Sequence, residues 1–382
     1  VNRRAARARL PWWLFPPSPL AAALLSLIGT TAPAMRPDLG IGYGAVAALY
    51  VAQTGGTVAG ALAVGLSDRR LLRPAPMATL AALALISATF VGLIGVIVAM
   101  AVGGFAIYGN NARAQFELSA VAGAGRSRAL SLFHVCGGAG GFLTPLCIAG
   151  LLHAGVSWRA GFLLVAGTLL VYAPWGRRWG STPTPRMSLR VTRLTRPARW
   201  ALVVASISLG IQNVVGLWLA TLLHDDFAVS PAAAGGGIAV YMAALLTARV
   251  AVASLLHRID EGRVLALGSV VVTLGLVLLG AAPTAITVVC AAAAIAAGAG
   301  PMLALGIARA ADLSGDDRMS ASAAMAGGGI AMIAFPAAIV ALQLVVGLQL
   351  AVAALAVPGL VVVAGVWRSS AGAPLATAPE AA

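Results

Sequence analysis

Apolar stretches about 20 residues long follow one another along this chain, and that is the length an α-helix needs to cross the hydrocarbon core of a bilayer. Twelve of them fit the sequence. The first six are 12–34, 43–65, 75–94, 96–118, 129–152 and 157–176; the second six are 200–223, 233–255, 263–281, 283–305, 321–345 and 347–368. The division between Pro74 and Ala120 is the least sharply marked. Soluble domains carry roughly a quarter charged residues, whereas this chain has 9% charged and 60% hydrophobic residues. One aqueous core cannot hide so much apolar surface, so lipid must solvate it.

The basic residues fix an orientation. All 25 are arginine. Threaded through twelve spans, only Arg36 and Arg159 fall on the far side and only Arg249 lies well inside a span, which leaves 22 in loops or helix ends on the side of the N-terminus. That is the positive-inside pattern, and it predicts a multi-pass protein of the cell (inner) membrane with both termini cytoplasmic. VNRRAARARL then reads as a cytoplasmic anchor before the first span. The net charge of +14 lies in short loops, so no basic domain exists to hold a duplex, and nucleic acid is not an expected partner. Trp12, Trp13, Trp158, Trp175, Trp200 and Trp367 fall at span ends, where an amphipathic ring is favoured.

Residues 177–199 are rich in proline and serine and carry seven arginines, the composition of a solvated linker. The chain divides there into an N-terminal six-helix bundle (1–176), a cytoplasmic linker (177–199) and a C-terminal six-helix bundle (200–382). Three landmarks recur between the halves: Asp68-Arg69 with His257-Arg258, Ala112-Arg113-Ala114 with Ala308-Arg309-Ala310, and a glycine cluster leading to Pro145 with one leading to Pro336. Their offsets are 189, 196 and 191 residues. The expected fold class is an all-α polytopic membrane protein, twelve transmembrane helices in two six-helix pseudo-symmetric halves. Secondary transporters are often built this way, with the solute site between repeats.

Over nearly its whole length the sequence resembles the major facilitator superfamily. That family carries G-x-x-x-D-R-x-G-R-R after its second helix. Gly65 to Arg73 keep Asp68, Arg69 and Arg73, displace the leading glycine by one position and put Leu71 at the second glycine. Asn111, Glu117, Arg126, His134 and Gly137 fall where the fucose-permease-like branch has its helix 4 Asn and Glu, loop Arg, and L-x-H start of helix 5. The helix 7 pattern G-x-E, with a Trp several residues on, is met by Gly210-Ile211-Gln212 and Trp218. The acid there is a glutamine, and a membrane carboxylate is the usual proton carrier.

The resemblance implies a central cavity lined by helices 1, 4, 7 and 10. Its expected polar lining, the substrate-binding candidates, is Ser26, Thr30, Tyr108, Asn110, Asn111, Gln212 and Asn213, with Trp218 as a stacking face. Amides suit a neutral hydrogen-bonding ligand; they also serve simply to bond neighbouring helices. Coupling or gating candidates are the ionisable groups, since each is costly in a membrane. Glu117 and Arg113 are four residues apart and can pair on one helix face, in a network with Asp68 and Arg69 that closes the cytoplasmic side. Glu117 is also the candidate proton site. Arg249 is read either as snorkelling to the interface or as a partner for a carboxylate or an anionic solute. His134 reads as a packing residue, and His224, Asp225 and Asp226 as a solvated loop.

The leading functional reading is a secondary active transporter moving a small solute by alternating access, with protons as coupling ion and the lipid bilayer as its surroundings. An uncoupled facilitator and an efflux pump for an amphipathic compound are the alternatives within that class. A membrane-embedded enzyme or a transporter-like sensor comes behind them. The four histidines and three cysteines (Cys136, Cys147 and Cys290, all within spans) make no metal or acid–base cluster by spacing. No metal or other cofactor is expected. No nucleotide-binding Gly-Lys-Ser/Thr loop occurs, and AGAGR at 122–126 lies between spans, without the strand-turn-helix of a dinucleotide site. A monomer is expected from the family resemblance.

Overall fold

The computed structural model describes residues 11–66, 73–122, 126–178, 194–255, 258–314 and 317–370. Its helices are α1 (Pro17–Leu39), α2 (Tyr43–Leu66), α3 (Pro74–Ser87), α4 (Leu93–Ala122), α5 (Arg126–His153), α6 (Arg159–Tyr172), α7 (Arg196–Asp225), α8 (Pro231–Leu255), α9 (Glu261–Ala281), α10 (Ala285–Ala299), α11 (Met302–Ser314), α12 (Asp317–Val346), α13 (Leu348–Ala353) and α14 (Ala356–Ser370). α10 and α11 form one apolar stretch broken at Gly300-Pro301, and α13 and α14 form another. Ten stretches among the described residues are long and apolar enough to cross a membrane; α3 and α6 are shorter apolar helices. Each of the twelve stretches read from the sequence holds a helix.

Several boundaries differ from the sequence reading, α1 running to Leu39 and α11 to Ser314 among them. Within the first apolar stretch, Trp12–Leu39, residues 12–14 form a separate 3-10 turn and α1 begins at Pro17, and proline is favoured at the first helical position. The α3–α4 break falls at 88–92, well before the expected 94–96. The apolar run does not stop there. What ends the helix is local: the hydroxyls of Ser87 and Thr89 donate to the carbonyls of Ala84 and Ile86, offering the backbone an alternative to the helical ladder.

Successive spans alternate in direction, which gives the bundle an N-terminal face and an opposite face. At the N-terminal face Trp12 meets Trp175 edge-on at 5.2 Å, Asn110 donates to the Pro74 carbonyl and the Arg368 guanidinium lies over Trp200. At the opposite face two clamps tie helix ends together. Asp38, ending α1, accepts from Trp158 Nε1 at 2.9 Å and from Arg159 at 2.6 Å, and Arg159 Nε donates to the Thr89 carbonyl beyond α3. Asp226, just past α7, accepts from the backbone N–H of Gln349 at 3.1 Å. The Gln349 side chain in turn donates to the carbonyls of Leu279 and Ala282 at the end of α9.

Close packing rests on glycine. A Cβ on Gly60 would stand 2.1 Å from the Phe105 carbonyl oxygen, and one on Gly104 2.2 Å from that of Gln53. α2 and α4 therefore touch backbone to backbone, as small residues allow in membranes.

Candidate functional site

The site is built where α1–α6 meet α7–α14. α1 packs on α7, α5 on α8 and α2 on α12. Contacts across this seam are dense toward the opposite face. A Cβ on Gly29 of α1 would meet the Gly216 carbonyl of α7 at 2.7 Å, and one on Gly235 of α8 would meet Thr30 at 3.2 Å. At the rim, Arg36 pairs with Asp225, and Asp225 also accepts from the Tyr43 hydroxyl at 2.6 Å. The Arg36 guanidinium lies 4.2 Å from the centre of the Tyr43 ring, and that ring meets Trp218 edge-on at 5.9 Å. Beside this rim, burial raises the Asp226 carboxyl above the ordinary aspartate value; the Gln349 N–H opposes the shift and the Asp225 charge adds to it. The contacts noted at the N-terminal face, by contrast, each stay within α1–α6 or within α7–α14.

The sequence-derived lining residues disperse around this seam. Ser26 and Thr30 are buried and donate back to the carbonyls of Ala23 and Ser26 on their own helix, which leaves their oxygens able to accept. Tyr108 reaches the Ala21 carbonyl of α1 at 3.4 Å. Asn111 donates to the Pro17 carbonyl at 3.3 Å and accepts from Gln115 at 2.7 Å. Asn110 points elsewhere: its amide donates to Pro74 of α3, within the first set of spans. Asn213 donates to Leu209, one turn back on α7. Trp218 is fully buried, and its indole N–H has no partner among the described residues.

Arg113 Nε and Glu117 Oε1 lie 3.0 Å apart, both nearly buried near the end of α4. Asp68 and Arg69, expected in the same network, lie outside the described residues, as does most of the linker. The Arg249 guanidinium bonds within the bundle, and no carboxylate among the described residues is paired with it. Its Nε donates to the Gly300 carbonyl at 3.0 Å, in the break between α10 and α11, and a terminal nitrogen reaches Gln212 Oε1 at 3.3 Å. The broken helix supplies a carbonyl and α7 an amide oxygen, so the cation is bonded without an opposite charge. His134 on α5 lies within electrostatic reach of Arg249 and meets the Phe133 ring edge-on.

Several residues at the seam carried no sequence signal. Asp225, read as part of a solvated loop, ends α7 and bonds across the seam. Tyr241 of α8 is buried, and its hydroxyl donates to the Gln212 carbonyl at 2.6 Å. Tyr50, Gln53 and Thr54 on α2 are fully buried as well. The one clue to the last three was their spacing of three and four residues, which places them on one helix face.

No family model matches the chain, and no curated protein matches it. Solved structures do. The bundle superposes on a bacterial homologue of the human lysosomal transporter Spinster, in an inward-facing and occupied conformation, with TM-score 0.69, 13% identity and coverage of 97% of this chain and 98% of that one. It superposes on the nucleoside transporter NupG with TM-score 0.72, 15% identity and coverage of 94% and 98%. The D-xylose–proton symporter gives TM-score 0.72, 13% identity and coverage of 95% and 97%. The chain has the fold of these membrane transporters and is an integral membrane protein.

Proposed function

We propose that the protein is a secondary transporter of the major facilitator type, similar to the fucose-permease-like branch, which moves a small, uncharged, hydrogen-bonding solute across the cell membrane by alternating access. The observation that carries this reading is the seam. It is sealed toward one face by contacts between the two sets of spans, and beneath the seal lie buried polar side chains from both sets, uncharged apart from Arg249. Rocking one set against the other would open this region to the opposite face and close it to the N-terminal face. The matching clamps support a reading of two related halves: Asp38 with Arg159 and Thr89, and Asp226 with Gln349 and Ala282, stand at offsets of 188, 190 and 193 residues. The arginine distribution supports a cytoplasmic N-terminal face.

In this reading protons drive transport, with Glu117 as the carrier. A second reading, an uncoupled facilitator, is favoured by one observation. The helix 7 position that the resemblance gives to an acid is Gln212, and its amide is already engaged by Arg249. Uptake into sealed vesicles holding the purified protein, from a pooled metabolite library with and without an imposed pH gradient, separates the two. Gradient-driven accumulation is expected. Equilibration indifferent to the gradient would establish the facilitator, and no solute movement at all would overturn both.

A further inference from the structure

At the N-terminal face, the start of α7 and the end of α14 meet at a corner that holds three arginines. Arg196 and Arg199 lie in the first turn of α7, and Arg368 lies in the last turn of α14. All three are exposed. The two helices pack closely here: a Cβ on Gly365 would stand 3.4 Å from the Trp200 ring. The Arg368 guanidinium lies 4.7 Å from the centre of that ring. Arg196 precedes Trp200 by four residues, so the two share a face of α7. No carboxylate among the described residues is paired with any of these arginines. Asp312, next to the Leu313 whose carbonyl accepts from Thr195, is exposed and pairs with none of them.

Like charges gathered at one corner repel one another, and an anion between them would relieve that repulsion. Stacking on Trp200 holds the Arg368 guanidinium by its face, which leaves its in-plane N–H groups to meet two oxygens of a phosphate. The matching corner of the first set of spans is built differently. Trp12 and Trp175 stand at offsets of 188 and 192 residues from Trp200 and Trp367, and there the two rings close on each other. Here Trp367 is 75% exposed and the arginine takes its place on the ring. An exposed tryptophan at a span end sits at headgroup level in a bilayer. From it the exposed Val361, Leu360 and Val357 run along α14 at helical spacing, an apolar track beside the cations. We propose that this corner binds an anionic phospholipid of the leaflet at the N-terminal face. Arg368 and Arg196 hold the phosphodiester, and an acyl chain lies along Trp367 and the α14 track. The track is what favours a lipid over a free anion, and basic pockets between spans are a known kind of headgroup site.

The test is titration of the full-length protein in detergent with phosphatidylglycerol, counting retained lipid by native mass spectrometry. Phosphatidylcholine is the zwitterionic contrast, and inorganic phosphate the headgroup chemistry without chains. The natural chain is expected to retain phosphatidylglycerol at concentrations where phosphatidylcholine is lost, and equimolar inorganic phosphate should not displace it. Arg196→Gln and Arg368→Gln should each weaken retention roughly fivefold, the effect of one arginine on an anionic lipid. Arg177→Gln removes an exposed charge from the same face, beside the closed Trp12–Trp175 corner, and should weaken it less than twofold. Equal losses in all three variants would mean diffuse attraction to the whole face and overturn the site. So would equal retention of the two lipids by the natural chain, a reading that needs no variant to fold. Displacement by equimolar inorganic phosphate would make the corner a free-anion site and overturn the lipid. The corner is independent of which solute crosses the bundle, so none of these outcomes touches the transporter reading.

Discussion

Glu117 and Arg113 stand one turn apart on α4, with their closest atoms at 3.0 Å and side-chain exposures of 8% and 10%. This is the carboxylate proposed above as the proton carrier. Glu117→Gln keeps the size and removes the titration. The expected outcome is loss of accumulation driven by a pH gradient, with solute-for-solute exchange kept within about twofold of the natural chain, since the seal between the halves does not use this residue. Uptake that still follows the gradient in this variant would remove Glu117 as the carrier. This pair was legible in the sequence because its two members lie four residues apart on one helix. The Arg36–Asp225 pair was not, because it joins residues 189 apart and only the packing of α1 on α7 brings them together. Gln53 was missed for a different reason: set in the run Gln53-Thr54-Gly55-Gly56 it looks like small-residue packing, and nothing local says that its amide will be left without a partner.

At the scale of helices, ten of the apolar stretches are long and apolar enough to cross a membrane, and the order of the apolar helical stretches followed from hydropathy, because the bilayer sets one length for every crossing. The breaks inside spans 10 and 12 did not. Gly300-Pro301 and Ala354-Leu355 sit in runs as apolar as their neighbours, and the function of the first break is tertiary: it frees the Gly300 carbonyl for Arg249. Nor could the sequence rank 45 glycines, whereas the structure separates them sharply. Gly60 has a backbone carbonyl where its Cβ would go, and Gly167 has open space. A backbone atom cannot rotate aside, so Gly60→Ala must push α2 from α4. That is expected to cost about 1–3 kcal/mol, the usual price of overpacking, and to lower the unfolding temperature in detergent by several degrees. Gly167→Ala on α6 should leave it unchanged or raise it slightly. Equal unfolding temperatures for the two variants would mean that α2 and α4 are not in backbone contact.

For the whole molecule the question is what holds one face shut. The rim joins α1 and α2 to α7 through Arg36, Tyr43 and Asp225, and the Asp225 carboxylate is the group that both partners share. Its side chain and that of Arg36 keep 20% and 18% exposure, so water and salt weaken the attraction, and a pair of this kind contributes about 1 kcal/mol. That is little against the stability of the bundle but about a fivefold change in a two-state equilibrium. Asp225→Asn should therefore open the rim without unfolding the protein. Spin labels at Gly40 and Ser230, on either side of the seam in a background without Cys136, Cys147 and Cys290, would report it as a population at longer distance, grown about fivefold. High salt should move the natural chain the same way, because the charges are reached by solvent. Asp38→Asn is the matched control. It breaks a clamp of equal charge that lies wholly within the first set of spans, so it should lower the unfolding temperature and leave the label distances alone. If Asp225→Asn leaves the distances unchanged as well, the seal belongs to the glycine contact of α1 with α7, and the ion pair only decorates it.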